Sequence, residues 1–135
     1  MPFRAEVAPS GSGPSRAEVV RYGSGVCCGV VAMTLEHYPA MTEPAIVRIT
    51  DEAERRWGLL GCTVIHRVGR LVAGDNIVLV LAAAAHRQPA LDATAFLIDW
   101  LKTKAPFWKL EEGAAGAQWV EARESDDQAT EKWKR

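Results

Sequence analysis

Hydrophobic and polar residues alternate at strand spacing in three stretches of the chain. Residues 26–35 are rich in valine and are predicted to form a strand. Residues 59–67 alternate with a period of two, which places Cys62 and His66 on the same face. Residues 77–84 form a continuous apolar run, a pattern typical of a strand that is buried on both faces.

Two other stretches have the spacing of amphipathic helices. The first helix is predicted over residues 41–57, where Thr42 is expected to cap the N-terminus and Gly58 to end the helix. Its buried stripe is expected to contain the apolar residues at spacings of three and four, which are Ile46, Ile49, Ala53 and Trp57. The second helix is predicted over residues 90–102 and ends before Pro106.

The two ends of the chain differ in composition from its middle. Residues 1–25 are rich in glycine, proline and serine, so we expect a flexible or divergent N-terminal segment before a single domain over residues 26–135. Two short strands are predicted around residues 106–110 and 118–121, followed by a charged tail that is helical or frayed. This alternation of strands and helices predicts an α/β (α+β) fold class.

Composition and charge narrow the class of protein. The 135 residues are enough for one domain, and 48% apolar with 24% charged residues is typical of a soluble globular protein. A net charge of −1 provides no basic field for nucleic acid or for an anionic membrane. Three cysteines without C-x-x-C spacing, and no apolar run as long as a membrane span, favour a reduced, cytoplasmic setting.

Lys102 is a candidate for acid–base or nucleophilic chemistry. At 100° per residue it lies within about 20° of Leu91 and on the side of Ala95, at the margin of the predicted apolar stripe. Burial disfavours a charged ammonium group and lowers the pKa of a lysine towards the range that is useful in catalysis. The alternative is a lysine that extends into solvent and interacts with the negative C-terminal end of its helix.

Other polar residues suggest an anion site. Lys102 and Lys109 flank an aromatic segment, and in an extended chain Trp108 faces away from Lys109. Two positive charges beside an aromatic surface suit a planar, anionic ligand. The alternative is a solvated basic surface with a tryptophan in the core. His86 and Arg87 stand where a strand gives way to a helix, a place for phosphate binding or simply a surface loop. No phosphate-loop, dinucleotide-binding, zinc-protease or serine-hydrolase motif occurs, and the histidines and cysteines lack metal-ligand spacing.

Four sequence blocks between about residue 32 and residue 125 stand out as strings. They are L-E-H-Y-P-A-M-T-E at residues 35–43, V-I-H-R-V-G at 64–69, L-K-T-K-A-P-F-W-K at 101–109 and W-V-E-A at 119–122. In order and spacing they closely resemble the large, catalytic subunit family of the molybdopterin synthases. The resemblance covers about two thirds of the chain and implies an α/β hammerhead-like domain with an additional small antiparallel β subdomain.

The resemblance also implies a reaction and an assembly. Such an enzyme converts a cyclic pyranopterin monophosphate into molybdopterin by installing two dithiolene sulfurs. The sulfur arrives as a thiocarboxylate on the C-terminal Gly-Gly of a small ubiquitin-like sulfur-carrier subunit, whose tail inserts into a pocket of the large subunit. The implied assembly is a heterotetramer, a central homodimer with one small subunit at each end. No metal or other cofactor is expected, because molybdenum is inserted later.

Residue by residue, the resemblance assigns roles to the candidates. Lys102 matches a pocket lysine and is expected to act directly in catalysis, and Lys109 matches a second lysine that holds the anionic intermediate or the incoming tail. His86 and Arg87 match a substrate-binding pair that suits the cyclic phosphate and is contributed across the dimer. Glu111 matches an acidic position of the pocket.

Two substrate-binding positions depart from the family pattern. Leu110 stands where a basic residue is common. Before residue 32 only Val20 and Arg21 match the family's first strand, so Arg21 is the candidate for its pocket arginine. The alternative to an enzyme is therefore a non-catalytic module that binds a ubiquitin-like tail or a phosphate ligand.

Overall fold

A computed structural model describes residues 4–9, 30–120 and 124–134 of the chain. The elements within these ranges are, in chain order, β1 (Arg4–Pro9), β2 (Val30–His37), α1 (Pro39–Trp57), β3 (Gly61–Val72), β4 (Val78–Ala83), α2 (Arg87–Thr103), β5 (Phe107–Gly113), β6 (Gly116–Val120) and α3 (Glu124–Glu131). None of the helices described combines the length and the apolar character that spanning a membrane requires.

The long strand β3 connects the two halves of a six-stranded sheet. Its first part pairs in parallel with β1 and antiparallel with β4, whereas residues 69–72 pair antiparallel with β2, which continues to β5 and β6. At the transition Gly69 has a φ of 88°, a conformation that favours glycine. The buried side of β3 changes there from even positions such as His66 to the odd position Leu71.

Helices α1 and α2 pack on one face of the first half of the sheet. The core between them contains apolar residues of α1, β3 and α2, among them Ile46, Ile49, Ala53, Cys62, Val64, Ala93, Phe96, Leu97 and Leu101. Burial of this apolar surface is the main favourable contribution to folding. Trp133, which follows α3, packs against the same core and ties the C-terminal part of the chain to it.

The main features of the sequence prediction are confirmed. The fold is α+β, with an antiparallel subdomain of β2, β5, β6 and the end of β3. Helix α1 buries Ile46, Ile49 and Ala53 and ends at Gly58, whose φ of 57° is left-handed. His66 is buried in the core on the predicted face of β3. The charged tail is helical over Glu124–Glu131.

Two predicted features of the first half are wrong. Strand β4 is not buried on both faces, because helices cover only one side of it, and Leu79 and Leu81 remain exposed by 46% and 54%. Thr42 does not cap α1, because the helix begins earlier, at Pro39, with Tyr38 as its N-cap. The Thr42 side chain is instead buried within the helix and available for a tertiary contact.

The buried face of α2 is rotated away from the predicted one. Leu91 and Ala95 are exposed, and the buried residues are Ala93, Phe96, Leu97 and Leu101. Since Lys102 lies on the same side of the helix as Leu91, it projects into solvent. The predicted position of Lys102 at the margin of the buried stripe is therefore wrong for the single chain.

Strand β1 was not among the predicted elements. It lies in the segment assigned to residues 1–25 and pairs with β3 from Arg4↔Thr63 to Pro9↔Val68. Parallel pairing with a strand more than fifty positions away leaves no local turn signal that would reveal it. Arg21, Cys27 and Cys28 fall on residues 10–29, outside the part of the chain that the structure describes, and the division at residue 25 stays a prediction.

Candidate active site

Lys102 lies in the last turn of α2, at an exposed position. The helix ends at Thr103, and the C-terminal end of a helix carries a partial negative charge that favours an ammonium group. Among the described residues no ion pair engages Lys102. Its ammonium group is thus presented to solvent at the end of a rigid element.

A connector of three residues, 104–106, links α2 to β5. Its first two N–H groups donate to the carbonyl of Trp100, at 2.8 and 3.2 Å, so the chain turns tightly as it leaves the helix. Lys102 precedes this turn on α2, and Lys109 follows it on β5. The two lysines therefore stand on either side of the same short turn.

On β5, Lys109 and Glu111 form an ion pair on one face of the strand. The Nζ atom of Lys109 lies 2.9 Å from Oε1 of Glu111, and their side chains are 35% and 23% exposed. Partial burial strengthens such a pair relative to one that is fully solvated. Leu110 lies between them and faces the opposite side of the sheet, where its cross-strand partner is the exposed Trp119.

His86 and Arg87 form the N-terminal end of α2. His86 is the N-cap, without a side-chain capping bond, and Arg87 is the first helical residue; both are exposed. Free backbone N–H groups and the partial positive charge of the helix end add to the arginine charge and favour an anion here. With a rise of 1.5 Å per residue, Arg87 lies about 22 Å along α2 from Lys102. The two ends do not converge on one site within a single chain.

The buried histidine and cysteine of β3 have the surroundings of core residues. His66 stacks on Phe107 with 4.2 Å between ring centroids, and its Nδ1 donates to the Arg67 carbonyl at 2.9 Å. Burial lowers the pKa of His66 below its usual 6.5, although the bond to Arg67 acts in the opposite direction. Burial, assisted by the charge of Glu54, raises the pKa of Cys62 to about 11, so this thiol is a poor nucleophile.

Neither a metal site nor the surface depression beside α1 involves the predicted site residues that the structure describes. Within the described ranges no three His, Cys, Asp or Glu side chains come together as metal ligands. A surface depression of about 380 Å³ is lined by residues of α1 and by Trp100, including Arg48, Asp51 and Arg55. It contains none of the predicted site residues, and its mixed charges do not select an anion, so the lysines are the better candidate site.

Thr42 reaches the connector, a contact that the sequence did not indicate. Its Oγ1 donates a hydrogen bond of 3.2 Å to the carbonyl of Pro106, and its side chain is fully buried. The two residues are 64 positions apart, so no local pattern reveals the contact. A threonine near a helix start indicates a cap first, which is the role that the sequence analysis gave it.

The structure places the predicted site residues in two groups. Lys102, Lys109 and Glu111 lie around the connector, and His86 and Arg87 lie at the opposite end of α2. In the first group, the side chains of Lys109 and Glu111 contact each other directly through their ion pair. The catalytic and substrate-binding roles of these residues stay predictions.

Comparisons with known proteins agree with the resemblance of the sequence blocks. The model of a family described as MoaE protein matches residues 17–104. A protein of Escherichia coli (strain K12) named molybdopterin synthase catalytic subunit is 57% identical over 104 residues, which are 77% of this chain and 69% of the relative. A protein of the same name from Mesorhizobium japonicum is 49% identical over 136 residues, covering 96% of this chain and 86% of the relative.

The solved structures similar to this chain include a molybdopterin biosynthesis MoaE protein from Burkholderia ambifaria MC40-6. It is 50% identical, covers 77% of this chain and 71% of its own, and superposes with a TM-score of 0.66. The family match includes Lys102 and the His86–Arg87 pair and ends before Lys109. The chain therefore belongs to the MoaE protein family.

Proposed function

We propose that this chain is the catalytic subunit of a molybdopterin synthase. It transfers sulfur from the thiocarboxylated C-terminus of a small ubiquitin-like subunit to cyclic pyranopterin monophosphate and forms the dithiolene of molybdopterin. Identity of 57% to a relative with that name supports the assignment. The observation that carries it is the placement of Lys102 and Lys109 on either side of one tight connector.

Lys102 is the candidate for direct catalysis. Its ammonium group is exposed at a helix end and is not held by an ion pair among the described residues, so it is free to meet an incoming thiocarboxylate. It assists the attack of the thiocarboxylate sulfur or transfers a proton to the reacting group. A positive charge that is already in place stabilises the negative charge that develops in such a transition state.

Lys109 holds the anionic intermediate or the carboxylate tail of the small subunit. Glu111 orients the Lys109 ammonium group through their 2.9 Å ion pair and forms the acidic side of the pocket. Leu110 contributes through its backbone, because its side chain faces the other side of β5. Arg21 is proposed as the pocket arginine on the resemblance alone.

A second copy of this chain completes the substrate site. His86 and Arg87 bind the cyclic phosphate, yet they stand about 22 Å along α2 from Lys102. In a homodimer the His86–Arg87 end of one copy meets the lysines of the other, which gives two composite sites related by a two-fold axis. The exposed apolar face of β4, with Leu79 and Leu81, offers surface that a stable contact would bury.

The sulfur carrier is the other partner. A chain in a solved protein-protein complex of subunits 1 and 2 of molybdopterin-converting factor from Helicobacter pylori shares the fold, with 20% identity and a TM-score of 0.56 over 70% of this chain and 62% of that chain. At this identity the likeness supports the fold alone. Charge supports the carrier as a partner, because the two lysines attract its anionic C-terminal tail. The reaction takes place in the cytoplasm without a resident metal.

The test is turnover of Lys102→Ala with a thiocarboxylated small subunit and cyclic pyranopterin monophosphate, followed as dithiolene formation. We expect a loss of roughly a hundredfold to a thousandfold in kcat, the effect of removing one transition-state charge. Lys104→Ala is the matched control, because this exposed lysine lies two positions away and should keep turnover within about twofold. A wild-type chain that binds the small subunit but forms no product would favour the non-catalytic module.

A further inference from the structure

We infer that Thr42 and His66 are positioning residues that hold the turn between the two lysines from two sides. Thr42 holds the connector at Pro106, and His66 holds the first residue of β5, Phe107. The inference rests on the proposed function, since it concerns the geometry of Lys102 and Lys109. Neither positioning residue contacts a lysine in the structure described, so each acts through the backbone of the turn.

The two buried threonines of α1, Thr42 and Thr50, form different kinds of hydrogen bond. The Thr42 hydroxyl donates to the Pro106 carbonyl, which belongs to another element. Thr50 is equally buried, but its hydroxyl donates to the Ile46 and Val47 carbonyls of its own helix. A buried hydroxyl requires a partner, and α1 offers local carbonyls to Thr50. The bond of Thr42 therefore fixes the connector relative to α1.

His66 fixes the other end of the turn. Its ring lies against Phe107 at 4.2 Å and 21°, a stacked arrangement, and its Nδ1–H is held by the Arg67 carbonyl at 2.9 Å. His66 is 7% exposed, so its ring has little freedom to rotate. Phe107 and Lys109 share a face of β5, two positions apart. The stack thus determines the direction in which β5 presents Lys109.

The turn needs such support because it is short and joins two independent elements. Lys102 moves with α2 and Lys109 moves with β5, and three residues separate these elements. Catalysis that uses both ammonium groups depends on their separation, and a displacement of about 1 Å can cost roughly a hundredfold in rate. A contact from α1 and a contact from β3 restrict the turn in two directions.

The decisive comparison is Thr42→Val with Thr50→Val. Both substitutions replace a buried hydroxyl in α1 by a methyl group, but Thr42→Val alone removes a bond to the connector. We expect kcat of Thr42→Val to fall by roughly tenfold to a hundredfold, with KM for the thiocarboxylated small subunit within about threefold. Thr42→Ser, which keeps the hydroxyl, should recover most of kcat, and Thr50→Val should retain it.

His66 is tested in the same assay by ring and non-ring replacements. His66→Phe keeps an aromatic ring against Phe107 and should keep kcat within about threefold of the wild type, whereas His66→Leu removes the stack and should lower kcat about tenfold or more. Circular dichroism establishes the folded fraction of each variant, so kcat is expressed per folded chain. A variant that merely unfolds loses folded protein, and its kcat per folded chain stays unchanged.

The outcomes separate this inference from the proposed function. If Lys102→Ala is inactive while Thr42→Val matches Thr50→Val, the function stands and the positioning role of Thr42 is overturned. If His66→Leu retains kcat per folded chain, the role of His66 is overturned. If Lys102→Ala keeps full turnover, the catalytic role of Lys102 is overturned and the positioning inference fails with it, whereas a wild-type chain that forms no product overturns the proposed function.

Discussion

The indole N–H of Trp133 donates a hydrogen bond of 2.8 Å to the Asp99 carboxylate and so fastens the C-terminal part of the chain to α2. The Trp133 ring meets Phe96 and Trp57 edge-on, at 5.7 Å from each. The backbone carbonyl of Trp133 also accepts a bond of 2.8 Å from Arg56. Asp99 precedes Lys102 by one helical turn, so this contact stabilises the helix end that presents the candidate catalytic lysine.

Truncation of Trp133 should destabilise the whole domain. Trp133→Ala removes the indole from its cluster and should lower the free energy of unfolding by about 2–4 kcal/mol, near the lower end for large-to-small core changes because the ring is partly exposed. Trp133→Phe keeps most of the packing and should cost about 1 kcal/mol for the lost hydrogen bond. Urea unfolding measures both. Trp119→Phe, at an exposed ring, should change stability by less than about 0.5 kcal/mol.

Gly69 should be far less replaceable than Gly61, although both lie in β3. Gly69 has a φ of 88°, so Gly69→Ala should lower the free energy of unfolding by about 1–2 kcal/mol. At Gly61 an added Cβ meets no atom within 4 Å and φ is not positive, so Gly61→Ala should leave stability equal or higher by about 0.5 kcal/mol. Equal losses in thermal or urea unfolding would contradict the assigned role of the Gly69 backbone.

Local patterns predicted the elements of this fold well and their environments less well. Helix α1 and its end at Gly58 follow from spacing and from the conformational freedom of glycine, both of which are local. The exposure of Leu79 and Leu81 depends on which side of the sheet the helices occupy, and an apolar run does not contain that information. Strand β1 depends on a parallel partner far away in the sequence.

The candidate site shows the same limit. Spacing alone placed Lys109 and Trp108 on opposite faces, and the structure agrees, since Trp108 is 48% exposed and Lys109 pairs with Glu111 on the other face. Spacing misplaced Lys102, because α2 has two apolar sides and the sheet packs against the one that lacks Leu91. The choice between two such faces is made by tertiary packing, which a helical period does not specify.

The stability of the domain should fall on mild acidification because of His66. Burial lowers the pKa of His66 below 6.5, so the unfolded chain takes up a proton at a pH at which the folded chain does not. The contribution of the neutral His66 ring to the free energy of unfolding is therefore complete above about pH 6.5. It is lost as the pH falls below that value, by at most about 1.4 kcal/mol per pH unit. His66→Phe should flatten the pH dependence of the urea midpoint below about pH 6.5.

The exposed His86 provides the control for this pH dependence. His86→Gln replaces an exposed imidazole and removes no buried group, so it should leave the slope unchanged. If His86→Gln flattens the profile as much as His66→Phe does, burial of His66 is not the cause of the acid sensitivity.

Lys109 should matter for turnover, whereas the neighbouring ion pair on the other face of the sheet should not. Lys109→Ala removes the charge that holds the anionic tail or intermediate, and kcat/KM should fall by roughly a hundredfold to a thousandfold. Glu111→Gln keeps the ammonium group but not its orientation, so the loss should be smaller, about tenfold. Arg70→Ala breaks the pair with Glu112, opposite to the Lys109 face, and should leave kcat/KM within about twofold.

Two inactive chains should restore activity when they are mixed, if the substrate site is shared across a homodimer. Lys102→Ala and Arg87→Ala each remove one half of both composite sites, so each pure dimer is inactive. A mixed dimer has one site that lacks both groups and one site that has both. With random exchange about half of the dimers are mixed, so about a quarter of the sites are intact and turnover should recover to about a quarter of the wild-type rate.

This mixing experiment decides between a shared site and a site within one chain. If Arg87 and Lys102 served one site within one chain, neither chain of a mixed dimer would have both groups, and activity would stay at the background of the separate variants. The role of the β4 face is tested by replacing Leu79 and Leu81 with aspartate in both chains. If the restored activity then disappears and sedimentation shows a shift to monomer, the β4 face forms the contact that creates the shared site. Retained dimerisation in that variant would instead place the contact elsewhere, because two buried carboxylates oppose association across an apolar contact.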